Sequence, residues 1–232
     1  MRGPSRSDRS RRLTSISSPV IPAGTVTALI PSAQIPGRYD LIVNGDVSAR
    51  VSIDAIERLD LRVGAPIDEA LGAAIAHEAE VIRVYDRAIA MLASRGRATG
   101  ELRRLLVRKG ASPKATEEAI GRLTSVGFLH DLSFAKQFVR YRAIPAGLSR
   151  RRIERELSSK GVDRETIREA VDQTFRDEDV DESVSIHRAA EKKLRMLARV
   201  DDQTKRRRLY GFLARRGYDS DAINAVMRTL HA

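Results

Sequence analysis

The sequence predicts a mainly α-helical protein, with three tandem three-helix repeats in an elongated, curved array behind a small N-terminal unit that contains a β-hairpin. Three segments of the chain align on a shared glycine, apolar residues alternate around an Asn-Gly step, and no strand pattern follows Asp68. The expected organisation is a disordered basic tail over 1–19, a small β-rich unit over 20–66, a helical lead-in with repeat 1 over 67–129, repeat 2 over 130–180 and repeat 3 over 181–232.

The N-terminal residues predict an unfolded tail followed by three strands. Residues 1–19 are rich in Ser, Pro, Gly and Arg and have no periodic apolar face, so burial could not offset the entropy of ordering them. Apolar residues then alternate at Val26, Ala28 and Ile30, at Tyr39, Leu41 and Val43, and at Val47, Ala49 and Val51. The Asn44-Gly45 step predicts a type I′ hairpin turn, because both central residues of that turn need positive φ. Asp54 is the expected N-cap of a short helix through Leu61.

Internal repetition organises the rest of the chain. The aligned segments are 99–123, 149–173 and 204–230, and each contains a cation followed by glycine. These steps are Lys109-Gly110, Lys160-Gly161 and Arg216-Gly217. Apolar residues stand eight and four positions before each glycine and ten after it: Leu102, Leu106 and Ile120; Ile153, Leu157 and Val171; Leu209, Leu213 and Met227. This spacing predicts two helices around a turn in each repeat.

The ends of these helices are also predicted. A cation followed by glycine favours a helix C-terminus, and Ser112, Asp163 and Asp219 are placed to cap the next helix, with Pro113 at its first position. We expect a further helix before each pair, at about 80–94, 132–143 and 183–198. Asp68 is the expected N-cap of a helical lead-in with apolar residues at Leu71, Ile75, Ile82, Tyr85, Ile89 and Leu92.

The charge of the chain indicates an acidic partner. Its 232 residues include 42 Lys and Arg against 31 Asp and Glu, a net charge of +11. Residues 1–82 contain nine basic and ten acidic side chains, so the other 33 basic and 21 acidic ones lie in residues 83–232. Such an excess favours a nucleic acid or an acidic protein surface as partner, the alternative being a general enrichment in arginine.

Arginines recur on the outer side of each middle helix. At about 100° per residue, Ile153 and Leu157 on the core side place Arg151 and Arg155 opposite. The same reasoning exposes Arg104 and Arg108 in repeat 1, and Arg207, Arg208 and Arg215 in repeat 3. The alternative is a solvated face neutralised by glutamates such as Glu101, Glu154 and Glu156. Tyr141 and Tyr210 could stack on a base, whereas Phe134 and Phe138 are expected in the core.

The residue inventory favours neither an enzyme nor a metal or cofactor site. The chain has no cysteine, no phosphate-binding glycine loop and no nucleophile-elbow motif, and its four histidines are scattered. The acidic group at 177–182 is interpreted as a solvated linker before a helix N-terminus, although a metal-dependent nuclease is the alternative. We see no secretory signal and no apolar run of about 20 residues, so a cytoplasmic location is expected.

The middle repeat resembles a known family. The run GFLHDLSFAKQFVRYRAIPAGLSRRRIERELSSKGV, residues 127–162, resembles the signature of the bacterial RecX family of regulatory proteins. The matching positions are Gly127, Phe128, Leu129, Asp131, Phe134, Ala135, Gly147, Arg152, Ile153, Leu157, Lys160 and Gly161. Residues 101–110 resemble the first repeat of the family, the third repeat matches more loosely, and the unit at 25–65 is similar to an N-terminal extension of some members.

The resemblance implies a regulator without enzymatic activity. Family members bind the RecA recombinase within its nucleoprotein filament. They usually inhibit filament growth, ATP hydrolysis, strand exchange and the RecA-stimulated self-cleavage of LexA-type repressors, so DNA repair, homologous recombination and the SOS response are implied. Many bind single- or double-stranded DNA directly. We expect a monomer with no membrane partner, and the alternative function is a general DNA-binding protein. The candidate RecA or DNA contacts are Arg104, Arg108, Arg140, Tyr141, Arg142, Arg151, Arg152, Arg155, Arg207, Arg208, Tyr210 and Arg215.

Overall fold

The computed structural model describes residues 19–33 and 35–230. The tail expected over 1–19 therefore lies, except for Pro19, outside the described residues, as does His231. The described strands are β1 (Gly24–Pro31), β2 (Arg38–Val43), β3 (Asp46–Ser52) and β4 (Pro66–Ile67). The described helices are α1 (Ile53–Arg58), α2 (Glu69–Ser94), α3 (Thr99–Arg108), α4 (Pro113–Ser125), α5 (Asp131–Ala143), α6 (Arg150–Lys160), α7 (Arg164–Asp177), α8 (Glu182–Met196), α9 (Asp202–Arg215) and α10 (Ser220–Thr229).

The strands form one antiparallel sheet in the order β3-β2-β1-β4. The predicted hairpin is confirmed: Val43 pairs with Asp46, and Asn44 and Gly45 both have positive φ, at 52° and 85°. The two-residue strand β4 was not predicted, because two residues are too few to show an alternating pattern.

The short helix after β3 begins earlier than the sequence predicted. The predicted N-cap Asp54 is wrong, because the Ser52 hydroxyl accepts a hydrogen bond from the Ala55 amide at 3.1 Å and caps α1. Asp54 instead lies in the first helical turn, where its negative charge favours the helix N-terminus. The helix ends at Arg58 rather than near Leu61.

The long helix α2 belongs to two cores. Its predicted N-cap Asp68 is confirmed, with the carboxylate 2.8 Å from the Leu71 amide. Ile75 and Ile82 pack against the sheet, whereas Val84 and Ala88 pack in the core of repeat 1. The separate helix expected at about 80–94 is therefore the second half of one continuous helix.

The three-helix repeats are confirmed: α3 and α4 follow the end of α2, α5 to α7 form repeat 2, and α8 to α10 form repeat 3. The nine predicted apolar positions are all buried. Ser112, Asp163 and Asp219 cap α4, α7 and α10 as predicted. The glycines of the three turns have φ between 85° and 94°, the left-handed conformation that ends a helix.

The described residues form two compact units. One contains the sheet, α1, α2 and residues 102–129, and the other contains residues 98–101 and 130–230.

A buried charge network stabilises the first unit. The Glu78 side chain is 2% exposed, and its two oxygens accept from Arg122 at 2.7 and 2.8 Å and also from Arg58. Arg122 also binds Glu118 at 2.7 Å, and Glu118 contacts His77 at 2.9 Å. The network thus connects α1, α2 and α4.

Acid is expected to weaken this network. Burial raises the pKa of Glu78, but hydrogen bonds and charges from Arg122 and Arg58 outweigh it and hold this pKa below its ordinary value of 4.5. A carboxyl whose pKa is lower in the folded state than in the unfolded state stabilises the fold when the pH is above its pKa in the unfolded state. This stabilisation disappears as the pH falls through its pKa in the folded state. In urea unfolding, Glu78→Gln should therefore be less stable than wild type at neutral pH, and the difference should shrink below pH 4.5. A difference that stays constant down to the folded pKa would contradict this assignment.

Two equivalent joints lie within the second unit, each at the first residues of a middle helix. The amide of Thr99, at the start of α3, donates to Asp131 of α5 at 2.8 Å. The amide of Arg150, at the start of α6, donates to Glu182 of α8 at 2.8 Å. In both joints the first turn of a middle helix is thus capped by an acid from the first helix of the next repeat, which satisfies an otherwise unpaired helix N–H.

Each joint also contains a close approach of backbones. A Cβ atom added to Gly100 would lie 2.8 Å from the Cα and carbonyl oxygen of Gly161. At the second joint, a Cβ on Gly217 would lie 2.4 Å from the Cβ of Arg152, and the Ser149 amide donates to the Arg216 carbonyl at 3.0 Å. The turn of one repeat therefore packs on the start of the preceding middle helix.

A pair of glycine substitutions tests the first joint. Gly100→Ala should destabilise the second unit by about 1–3 kcal/mol, because the backbone of Gly161 cannot yield as a flexible side chain would. Gly121→Ala is the matched control, since Gly121 is also helical but an added Cβ meets nothing within 4 Å; it should stabilise by about 0.5–1 kcal/mol. Urea unfolding of the full chain measures both. Equal effects of the two substitutions would contradict the close packing.

Candidate interaction surface

The exposed side of each middle helix has a regular arginine pattern. Each middle helix has a first buried apolar residue: Leu102 in α3, Ile153 in α6 and Leu209 in α9. The residues two positions before it, two positions after it and six positions after it are spaced by four, so they lie about one turn apart on one face of the helix. These positions hold Arg104 and Arg108 in α3, after Gly100, which is buried; Arg151, Arg155 and Ser159 in α6; and Arg207, Gly211 and Arg215 in α9. Two of the three positions are arginine in every repeat. We call the six arginines Arg104, Arg108, Arg151, Arg155, Arg207 and Arg215 the arginine face.

The arginine face is accessible to solvent. All six side chains are exposed, as predicted from helical periodicity. Arg151 and Arg155 form no ion pair or hydrogen bond with another described residue through their side chains, and the same is true of Arg108 and Arg215. Arg208, also predicted, is exposed beside Arg207. The guanidinium groups of Arg108, Arg151, Arg155 and Arg215 therefore keep their planar donors available for carboxylates or phosphates.

The other three arginines among the candidates already have carboxylate partners. Arg140 binds Glu178 at 2.6 Å. Arg142 and Arg152 share Glu156, at 3.4 and 2.9 Å, and Arg142 lies 5.1 Å from the centroid of the Phe138 ring. These contacts neutralise part of the positive charge at the end of α5 and the start of α6.

The two candidate tyrosines differ in their surroundings. Tyr141 is 68% exposed, next to the exposed Ile144. Tyr210 is 37% exposed, and its hydroxyl lies 3.0 Å from that of Ser220. Phe134 and Phe138 stack at 6.1 Å against the core of repeat 2, as expected. Tyr141 therefore has the more accessible ring for a partner.

The acidic segment after α7 caps and pairs with its own fold. Asp181 caps α8 by accepting from the Ser183 amide at 2.7 Å, Glu178 binds Arg140, and Glu182 caps α6 at the joint between repeats. The cap at Asp181 agrees with the interpretation of this segment as a linker that complements a helix N-terminus. Over residues 19–33 and 35–230, no group of three or more His, Cys, Asp or Glu residues has a metal-binding arrangement.

The joint between repeats 2 and 3 was not predicted, and it supports the start of α6 directly. Arg216 and Tyr218 both donate to the Gly147 carbonyl, at 3.3 and 3.2 Å. Burial raises the pKa of Tyr218 to about 12, Glu182 adds to the rise and Arg216 opposes it, so the hydroxyl keeps the proton that it donates. The only sequence signal for these contacts was the repetition itself.

The fold and the exposed arginines define a class of protein: a tandem three-helix repeat protein whose middle helices expose arginines. No helix within the described part of the chain has both the length and the apolarity needed to cross a bilayer. Comparison with known families is consistent with this class. Residues 85–123, 131–171 and 181–227 match the first, second and third three-helix domains of RecX. The chain belongs to the RecX family of regulatory proteins.

Individual relatives agree. The chain is 38% identical over 138 residues to the regulatory protein RecX of Amycolatopsis mediterranei, covering 60% of this chain and 77% of the relative. It is 33% identical over 143 residues to that of Pelodictyon phaeoclathratiforme, covering 62% and 86%. A crystal structure of regulatory protein RecX has a TM-score of 0.69 at 19% identity, covering 89% of this chain and all of that one. The structure of RecX from Lactobacillus salivarius has a TM-score of 0.52 at 20% identity, covering 65% and 96%.

Proposed function

We propose that this chain regulates the RecA recombinase by binding RecA and its DNA filament, and that it inhibits filament growth and ATP hydrolysis. The observation that supports this function most is the arginine face, which repeats at equivalent positions of three middle helices. A nucleoprotein filament repeats its DNA phosphates at regular intervals, so a repeated cationic surface is complementary to it. Membership in a family named for regulation supports the same function.

The proposed regulator acts by binding alone, as a cytoplasmic protein without a cofactor. Arginines of the arginine face, with Arg208 and Tyr141, contact RecA or DNA, and the bound chain blocks addition of RecA subunits. Inhibition of strand exchange and of repressor self-cleavage would follow, because both require the filament. DNA repair, recombination and the SOS response are the processes in which this regulation operates.

Comparing filaments with bare DNA tests this function. Labelled single-stranded DNA, with or without cognate RecA and a slowly hydrolysed ATP analogue, is titrated with the protein at two salt concentrations. We expect tighter binding to the filament, and the preference should persist when salt weakens binding to bare DNA. Equal affinity for both, with the same steep salt dependence, would favour a general DNA-binding protein and contradict the proposal.

A further inference from the structure

A groove at the far end of repeat 3 is separate from the arginine face. It lies between the end of α8, the start of α9 and the end of α10, and encloses about 790 Å³. Leu194, Met227 and Leu230 line its apolar part, and all three belong to or pack against the core of repeat 3. The groove therefore offers apolar surface on a firmly packed base.

Cations surround this apolar surface. Lys205, Arg206 and Arg228 line the groove, and Asp202 is the one carboxylate among its lining residues. Asp202 binds Lys205 at 2.9 Å. Arg206 and Arg228 are both exposed and form no ion pair with a described residue. Two arginines without a carboxylate partner among the described residues therefore lie beside leucine and methionine side chains.

We propose that this groove binds an acidic peptide segment that also contains apolar side chains. Carboxylates of such a segment would pair with Arg206 and Arg228, and its apolar side chains would cover Leu194, Met227 and Leu230. A nucleic acid fits less well. Its phosphates could pair with the arginines, but they would leave the apolar surface bare, and the lining residues include no aromatic ring on which a base could stack. The inference does not depend on the function proposed for the arginine face.

Fluorescence anisotropy with a defined probe tests this site. The probe is a labelled peptide of alternating glutamate and leucine, and the full chain is titrated into it. Saturable binding is expected, and Arg206→Glu with Arg228→Glu should weaken it by about tenfold or more, since two charge-assisted contacts become repulsive. The matched control is Arg207→Glu with Arg208→Glu, which makes the same change of charge next to the groove. It should weaken binding clearly less, because neither residue lines the groove and both act only through partly screened repulsion.

Two further probes define the chemistry. A peptide of alternating glutamate and serine should bind more weakly, because it lacks the apolar side chains. The affinity of the protein for labelled single-stranded DNA should fall more in Arg207→Glu with Arg208→Glu than in Arg206→Glu with Arg228→Glu. The proposal is overturned if the glutamate-leucine peptide does not bind, or if both double charge reversals weaken its binding equally. It is also overturned if the reversal of Arg206 and Arg228 weakens DNA binding but leaves peptide binding unchanged. Should the glutamate variant unfold by circular dichroism, Arg206→Gln with Arg228→Gln replaces it.

Discussion

Charge reversal of four exposed arginines on α6 and α9 is expected to abolish binding to the RecA filament while the helices stay folded. The substitutions are Arg151→Glu, Arg155→Glu, Arg207→Glu and Arg208→Glu. All four side chains are exposed and hold no ion pair with a described residue, so reversal breaks no salt bridge. The internal interaction that it reverses is the Coulombic attraction between Arg207 and the exposed Asp201. Each guanidinium that met a carboxylate or phosphate would instead present a like charge, which costs affinity at every contact. Circular dichroism and filament binding together measure the result.

A matched variant separates this effect from net charge. Arg164→Glu, Arg168→Glu, Arg188→Glu and Arg195→Glu change the net charge equally, and these arginines are also exposed but lie on α7 and α8. The control should retain most of its filament binding. If the first variant still binds with its helices intact, or if the two variants lose binding equally, the arginine face is not the contact surface.

Removal of the Glu78 carboxylate should destabilise the first unit strongly. Glu78→Ala leaves Arg122 and Arg58 without the buried partner that orients them. Because both arginines reach solvent in part, we expect a loss of about 2–4 kcal/mol, somewhat below the cost of breaking a fully buried pair. Glu57→Ala is the control, since Glu57 is exposed on α1 and should change stability by less than about 0.5 kcal/mol. Urea unfolding measures both, and a loss below about 1 kcal/mol for Glu78→Ala would show that the network does not stabilise this unit.

Local chemistry explains what could be predicted from the sequence. The caps at Ser112, Asp163 and Asp219 depend on residues three positions away, and the hairpin depends on two adjacent residues that tolerate positive φ. Helical periodicity likewise placed Arg151 and Arg155 in solvent. Where two local solutions competed, prediction failed, as when Ser52 rather than Asp54 capped α1.

Long-range contacts explain what could not be predicted. The i, i+4 spacing suggested Glu156 as a partner for an arginine of its own helix, and Arg152, four residues earlier, does bind it. Two other pairs have no such local signal. The pair between Arg140 and Glu178 joins residues 38 apart, and the one between Arg122 and Glu78 joins residues 44 apart. Nothing in a single sequence relates such residues, because their proximity is a result of helix packing.

If the bound chain blocks addition of RecA subunits, as proposed, a few molecules of it should control many RecA subunits. Single-stranded-DNA-dependent ATP hydrolysis by cognate RecA, with the protein titrated in from far below stoichiometry, tests it most directly. We predict that hydrolysis falls at substoichiometric amounts, and that the Arg151, Arg155, Arg207 and Arg208 reversal removes this inhibition. Inhibition that appears only when the protein approaches saturation of the DNA would contradict the claim, because competition for phosphate would then explain it.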